Sequence, residues 1–137
     1  MPDATLVDTN VILDLVTDDP VWSQWSIQQL DAAALRAPLL INDVVYAELS
    51  VRFARIEDIA ALLTGAGLVM APLPRSALFL AGKVFQRYRA AGGPRTGTLP
   101  DFFIGAHAAV AGLPLLTRDV RRYRTYFPSI TLIAPQP

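Results

Sequence analysis

Short apolar runs alternate with longer stretches of helical periodicity along these 137 residues. ATLVD at 4–8 predicts a buried strand, and a helix opens near Asn10. Pro20 begins a second helical stretch, with apolar or small residues at Trp22, Trp25, Ile27, Leu30, Ala33 and Ala34. APLLIN at 37–42 reads as the second strand. Asn42 or Asp43 can cap the helix VVYAELSVRFA that follows, because a short side-chain acceptor satisfies free N–H groups of a first turn. Residues 55–66 predict another helix, ended by GAG at 65–67, and LVMAP at 68–72 a third strand. A long helix covers 74–91, and GGPRTGTLP at 92–100 is a loop by composition. Pro100 suits the first turn of a helix running to Gly112. LPLLT at 113–117 and ITLIA at 130–134 supply the fourth and fifth strands. This alternation predicts one α/β domain over 1–137, a mostly parallel central sheet of about five strands flanked by helices in three layers. Such sheets form their sites at the carboxyl ends of strands.

Charge sharpens the picture. Twelve basic residues cancel twelve acidic ones, so bulk charge excludes a strongly basic nucleic-acid coat or an acidic tail. The zero conceals an asymmetry: residues 1–48 hold eight acids against Arg36 alone, and 75–137 hold nine bases against Asp101 and Asp119. The absence of cysteine excludes disulfides, thiolate metal sites and a cysteine nucleophile, and fits a cytoplasmic protein. The opening MPDATLVDTN lacks the basic region and apolar run of a secretory signal. The two longest uncharged stretches, 59–74 and 102–117, are broken by Gly and Pro and fall short of the roughly 18–20 residues needed to span a bilayer. No membrane role is therefore expected. An apolar fraction of 53% is high enough to suggest surface covered by a partner.

Four acids stand where a parallel sheet would present its crevice. Asp8 ends the first strand in LVDTNVILDL, and Asp119 follows the fourth in LLTRD. Asp101 opens the helix DFFIGAHAAV, and Glu48 lies inside the helix begun at Asn42 or Asp43. Each also has a structural role open to it. Asp8 and Asp119 can serve as turn residues, and Asp101 as a helix-start acid favoured by about 0.3–1 kcal/mol. Glu48 with Arg52 can form a surface pair worth about 0.2–0.5 kcal/mol. Their flanks are strongly apolar, however, and a buried carboxylate without a counter-charge is costly. A bound cation is the economical explanation.

The segments LVDTNVILDL, INDVVYAEL, TGTLPDFFIGAHA and LLTRDVRRYRTYFP resemble the acidic blocks of the PIN-domain nucleases, in that family's order. The likeness is greatest to the VapC toxin ribonucleases of type II toxin–antitoxin modules and spans 5–133. It implies a PIN-like fold in which Asp8, Glu48, Asp101 and Asp119 hold the metal, while Asn10 and Thr117 hydrogen-bond and orient those carboxylates. It also implies one or two Mg²⁺ or Mn²⁺ ions, an RNA substrate, a cognate VapB-like antitoxin, and a homodimer or larger toxin–antitoxin assembly. Hard divalent cations prefer oxygen ligands and keep several waters. They lower the pKa of water and neutralise charge on a phosphodiester. The expected reaction is RNA hydrolysis by a metal-activated water, leaving 5′-phosphate and 3′-hydroxyl ends. Asp14, Asp18, Asp19 and Asp43 match no site position; Asp14 is read as a helix-surface or pocket-rim acid and Asp43 as a helix-start residue.

Other chemistries find little support. His107, the only histidine, is six residues beyond Asp101, about 240° around a helix, and reads as packed rather than catalytic. Lys83 is mid-helix, and no phosphate-binding glycine loop is present. Arginine supplies eleven of the twelve bases, which suits bidentate phosphate contacts. Arg95 and Arg118, closest in sequence to the acids, are the candidates for the RNA backbone; Arg121 and Arg124 are equally readable as a solvated turn. Trp22 and Trp25 suit either core or a partner groove, and Tyr123, Tyr126 and Phe127 suit base stacking or packing beneath the last strand. A non-catalytic PIN module binding RNA or protein is the alternative function, and structure-specific DNA cleavage a more remote one. With the four site acids set aside, twelve bases face eight acids, so a metal-loaded chain would be positive.

Overall fold

The computed structural model describes residues 3–94 and 99–136. In chain order it contains β1 (Thr5–Val7), α1 (Thr9–Val16), α2 (Ser23–Ala34), β2 (Leu39–Ile41), α3 (Asp43–Ser50) and α4 (Ile56–Ala66). There follow β3 (Leu68–Met70), α5 (Arg75–Ala90), α6 (Leu99–Ala111), β4 (Leu115–Leu116), α7 (Arg121–Tyr126) and β5 (Leu132–Ile133). The strands pair in the order β3-β2-β1-β4-β5, every neighbour parallel. This is the α/β architecture the apolar runs predict, with helices accounting for the crossovers that parallel strands require.

β1 is central. Leu6 lies in register with Leu40 on one side and Leu115 on the other. The chain winds outward from β1 through β2 and β3, then returns to build β4 and β5 on the opposite side. The carboxyl ends of β1 and β4 therefore flank the point where the winding reverses, which is where open parallel sheets leave a crevice.

The core explains why the helices sit where they do. Leu6, Val7, Ile41, Leu115 and Leu116 are buried along the sheet, with Val11 and Ile12 of α1 against them. Six residues of α6 are buried: Phe102, Ile104, Gly105, Ala106, His107 and Ala108. Burying a Phe or Ile side chain contributes about 1.5–3 kcal/mol. Phe102 and its neighbours thus fix α6 and, with it, the adjacent Asp101. Phe102 meets Tyr88, Tyr126 and Phe85 edge-on, with ring centroids 5.3, 5.3 and 6.2 Å away.

The local chemistry of the ends is also visible. Asn42 Oδ1 accepts from the amides of Val44 and Val45 at 3.1 and 3.0 Å, so Asn42 is the cap and Asp43 the first helical residue. α4 stops at Gly67, whose φ of 69° lies in the left-handed region that glycine enters without a Cβ clash. Two differences from the apolar pattern stand out. α3 ends at Ser50, four residues short of the predicted helix; the Ser50 hydroxyl donates back to the Tyr46 carbonyl at 2.7 Å, a bond that competes with helix propagation. The segment of Arg121 and Arg124, equally readable as a solvated turn, is the helix α7, and Tyr123 and Phe127 are buried together in the core at helical spacing.

Gly105 marks the closest approach of α6 to the segment after α7. A Cβ there would lie 2.5 Å from the Phe127 ring, whereas one on Gly82 of α5 would meet nothing within 4 Å. Alanine exceeds glycine by about 1 kcal/mol in a helix interior, but overpacking a filled core costs about 1–3 kcal/mol. Gly82→Ala is expected to raise the urea midpoint. Gly105→Ala is expected to lower it, with the slope of the transition unchanged in both.

Candidate active site

Asp8 follows β1 directly and caps α1, its Oδ1 accepting from the Thr9 amide at 2.8 Å. The turn role is filled, but Oδ2 collects further donors. The Thr117 hydroxyl lies at 2.8 Å, the Tyr123 hydroxyl at 2.9 Å and Asn10 Nδ2 at 3.4 Å. Asp8 is only 4% exposed, and no Lys or Arg pairs with it among the described residues. Burial pushes its carboxyl up to about 6, opposed by the Thr117 and Tyr123 hydrogen bonds and reinforced by the charge of Asp101. Burial, then the charge of Asp8, holds the Tyr123 phenol well above its usual range, so it remains a donor.

Three other acids surround this point. Asp101, in the first turn of α6, is pushed up chiefly by burial; Arg122 opposes the shift, and Glu48 and Asp119 add to it. Glu48 projects from α3 and accepts from the Thr9 hydroxyl at 2.6 Å. Asp119 is exposed, and its amide donates to Thr117 Oγ1 at 3.1 Å. Electrostatic coupling runs from Asp8 to Asp101 and from Asp101 to Glu48 and Asp119. Asp101 thus lies within electrostatic reach of each of the other three acids, and this neighbourhood at the carboxyl ends of β1 and β4 is the acid basin.

The side chains do not form a closed cage. Among the described residues, no three carboxylate or imidazole groups come together closely enough to hold an ion as they stand. Glu48 is drawn onto Thr9, and Asp101 onto Arg122, whose guanidinium approaches to 3.1 Å. The donor chemistry nevertheless fits a hard divalent cation. All the acids offer oxygen and, among the described residues, the basin carries more negative charge than Arg122 neutralises and the buried Asp8 has no cationic partner.

A family model described as the PIN domain matches residues 5–128. The chain belongs to the PIN domain family. PIN domains are generally nucleases, and PIN nucleases generally depend on divalent metal. Sequence comparison with curated proteins gives no match. Solved structures share the fold at low identity. A chain of VapBC2 from Rickettsia felis, bound to a DNA fragment from its promoter, has a TM-score of 0.73 at 17% identity, covering 97% of this chain and 99% of that one. A chain of a toxin–antitoxin complex from Klebsiella pneumoniae has a TM-score of 0.70 at 20% identity, covering 96% and 98%. One of VapBC-1 from nontypeable Haemophilus influenzae has a TM-score of 0.69 at 19% identity, covering 96% and 97%.

Within this PIN domain, several residues take parts that the sequence does not announce. Asp14 is not a surface or rim acid: it is 1% exposed. Its two oxygens receive Arg118 Nε and a terminal guanidinium nitrogen at 2.8 and 2.9 Å, and Ser26 Oγ donates at 2.7 Å. The Arg118 amide also donates to Asn10 Oδ1 at 3.3 Å, and its guanidinium lies 5.4 Å from the Trp22 ring centroid. Arg118, expected to face RNA, is thus engaged as a clamp between the β4 end and α1. The i, i+4 spacing of Asn10 and Asp14 on α1 was the available signal. Arg95 lies outside the described residues.

The remaining candidates resolve into packing. His107 is buried, and its Nδ1 lies 3.1 Å from Asn42 Nδ2. Asn42 Oδ1 already serves α3, so the amide nitrogen donates and His107 accepts; burial holds this imidazole below its usual pKa. Tyr123 and Phe127 are buried and Tyr126 packs on Tyr88, so these rings support the fold instead of facing solvent. Trp22 and Trp25 meet edge-on at 6.0 Å, both half-buried, with Trp25 against the core. Thr9 and Tyr123, which hold Glu48 and Asp8, are the site residues that sequence reading missed.

Two measurements check this geometry. The folded chain keeps the Asp8 proton up to about pH 6, whereas the unfolded chain releases it near the ordinary aspartate value of 3.8. Folding therefore takes up a proton in that window, and stability falls as pH rises through it. In metal-free buffer, Asp8→Asn is expected to be the more stable protein at pH 7.5, by about 1–2 kcal/mol after allowing for a lost acceptor. Denaturant unfolding across pH 3–8 should show that gain vanish below pH 4. Arg118→Ala strips the partner from a buried carboxylate and is expected to cost about 3 kcal/mol, the low end for such pairs. Adding Asp14→Asn should recover part of the loss in a double-mutant cycle.

Proposed function

We propose that this PIN domain is a metal-dependent endoribonuclease toxin, held inactive by a cognate VapB-like antitoxin. The observation that carries the reading is the buried Asp8 carboxylate, paired with no Lys or Arg among the described residues and close to Asp101, which also feels Glu48 and Asp119. A structural turn would not require Asp101 to face the charges of three further acids beside an apolar core. When bound, one or two Mg²⁺ or Mn²⁺ ions supply Lewis acidity, strengthening water as a nucleophile and offsetting phosphate charge.

The protein's own part is positioning. Asp8 and Asp101, with Glu48 and Asp119, are the residues that would hold the ion. Thr117, Tyr123 and Asn10 fix the rotamer of Asp8, while Thr9 does the same for Glu48. These hydroxyl and amide donors stabilise the charged form of the acids without competing for all their oxygens. The Arg118–Asp14 clamp keeps the Thr117–Asp119 segment against α1, so the two strand-end acids retain their spacing.

The VapBC complexes sharing this fold support an antitoxin partner and a toxin role; the homodimer, larger toxin–antitoxin assemblies and a cytoplasmic setting belong to the same proposal. No helix among the described residues is long and apolar enough to cross a membrane. The competing reading is a PIN module that binds RNA or protein without cutting it. It draws on the ion pair already formed at Asp101 and the lack of a closed ligand cage among the described residues.

Incubating total RNA with the purified protein and Mn²⁺ or Mg²⁺, then sequencing the new ends, separates the two. The nuclease is expected to leave 5′-phosphate and 3′-hydroxyl ends, to stop on chelation with EDTA, and to lose at least about a hundredfold in rate as Asp101→Asn. Equal cleavage by wild type and Asp101→Asn would remove Asp101 from the site. Absence of cleavage by either would leave the binding module.

A further inference from the structure

The short helix α7 sends two consecutive side chains into the acid basin. Tyr123 donates to Asp8, and Arg122 pairs with Asp101. The two contacts differ in kind. Tyr123 is buried and neutral, a fixed prop. Arg122 has a side chain 41% exposed, makes one 3.1 Å bond to a carboxylate 29% exposed, and carries no second carboxylate contact among the described residues. Part-exposed single-bond ion pairs of this sort are the weakest class. Arg118 provides the contrast: two bonds to a buried acid and a tryptophan face beneath its guanidinium. Among the described arginines at the basin, Arg122 is the one free to change partner.

We infer that Arg122 is an exchangeable ligand of the site: it neutralises Asp101 while the basin lacks a cation, and turns to the RNA phosphate once a cation takes that carboxylate. This rests on the nuclease reading above and adds to it the residue that meets the phosphate. The charge balance supports the exchange. One guanidinium faces an Asp101 that also feels Glu48 and Asp119, so a divalent ion offers those acids twice the charge at the same place. Once displaced, Arg122 stands at the rim of the basin, where a phosphodiester bound to the cation would arrive. A planar guanidinium can then donate two parallel N–H bonds to phosphate oxygens, a geometry that a lysine ammonium does not reproduce.

The exchange predicts effects of opposite sign on two ligands. Mn²⁺ alone, titrated calorimetrically into the full chain, should bind Arg122→Ala up to about fivefold more tightly than wild type, because nothing competes for Asp101. Arg124→Ala removes the same charge from an exposed position on the same helix and should leave Mn²⁺ affinity near that of wild type. A labelled mixed-sequence RNA oligonucleotide, with Ca²⁺ in place of Mn²⁺ to hold back cleavage, should bind Arg122→Ala more weakly. Its log–log salt slope should be shallower by about 0.7, the value for one phosphate contact on a single strand. Arg122→Lys should recover the slope but only part of the affinity. Unchanged or weaker Mn²⁺ binding by Arg122→Ala, or an equal gain in Arg124→Ala, would overturn the exchange. Unchanged RNA binding would overturn the phosphate contact. If wild type binds Mn²⁺ and cuts RNA while Arg122→Ala is neutral on both ligands, this inference alone falls. If wild type binds no Mn²⁺, the nuclease reading falls with it.

Discussion

Burying Asp8 is the constraint around which the site is arranged. β1 lies in the middle of the sheet, so the residue that leaves its carboxyl end emerges between β2 and β4 with little access to water. A carboxylate placed there must be compensated. The protein supplies donors from three directions: the Thr9 amide from α1, the Thr117 hydroxyl from the β4 end, and the Tyr123 hydroxyl from α7. Those bonds moderate the cost of burial without cancelling it, and the carboxyl remains well above its ordinary range. The same donors tie α1, the β4 end and α7 to one carboxylate at the end of β1, so compensating the charge also assembles the crevice.

Around that centre, arginines act according to how deeply their partners are buried. Asp14 is sealed in the protein and holds Arg118 in two directions at once, with Ser26 and Trp22 adding to the grip. Asp101 is part-exposed and holds Arg122 by one bond. Residues that look alike in a basic stretch therefore divide between a buried two-bond clamp and a part-exposed single-bond pair. Sequence proximity to an acid was a poor guide: Arg118 adjoins Asp119 yet pairs with Asp14, 104 positions away.

The fold itself was largely legible because its signals are local. Each strand is a short apolar run, each crossover contains a helix with its own start and stop residues, and Asn42 and Gly67 do at the ends of α3 and α4 what their chemistry allows. The misreadings were of the opposite sort. α7 is too short for periodicity to reveal, and its reason for being helical is that Tyr123 and Phe127 both find the core. Asp14 has an ordinary helical setting, and only its remote partners make a buried acid tolerable.

By itself the sequence determined the alternation of strands and helices, and it set Asp8, Glu48, Asp101 and Asp119 at strand ends and helix positions from which an α/β crevice can be built. Local backbone preference and apolar periodicity are enough for that. Tertiary structure decided how those acids are held. It brought Thr9 to Glu48, Tyr123 to Asp8, Arg118 to Asp14 and Arg122 to Asp101, and it packed His107 against Asn42. Most of these contacts join segments far apart in the chain, and their strength depends on how much water the surrounding core excludes. Neither distance nor dielectric is written in the order of residues.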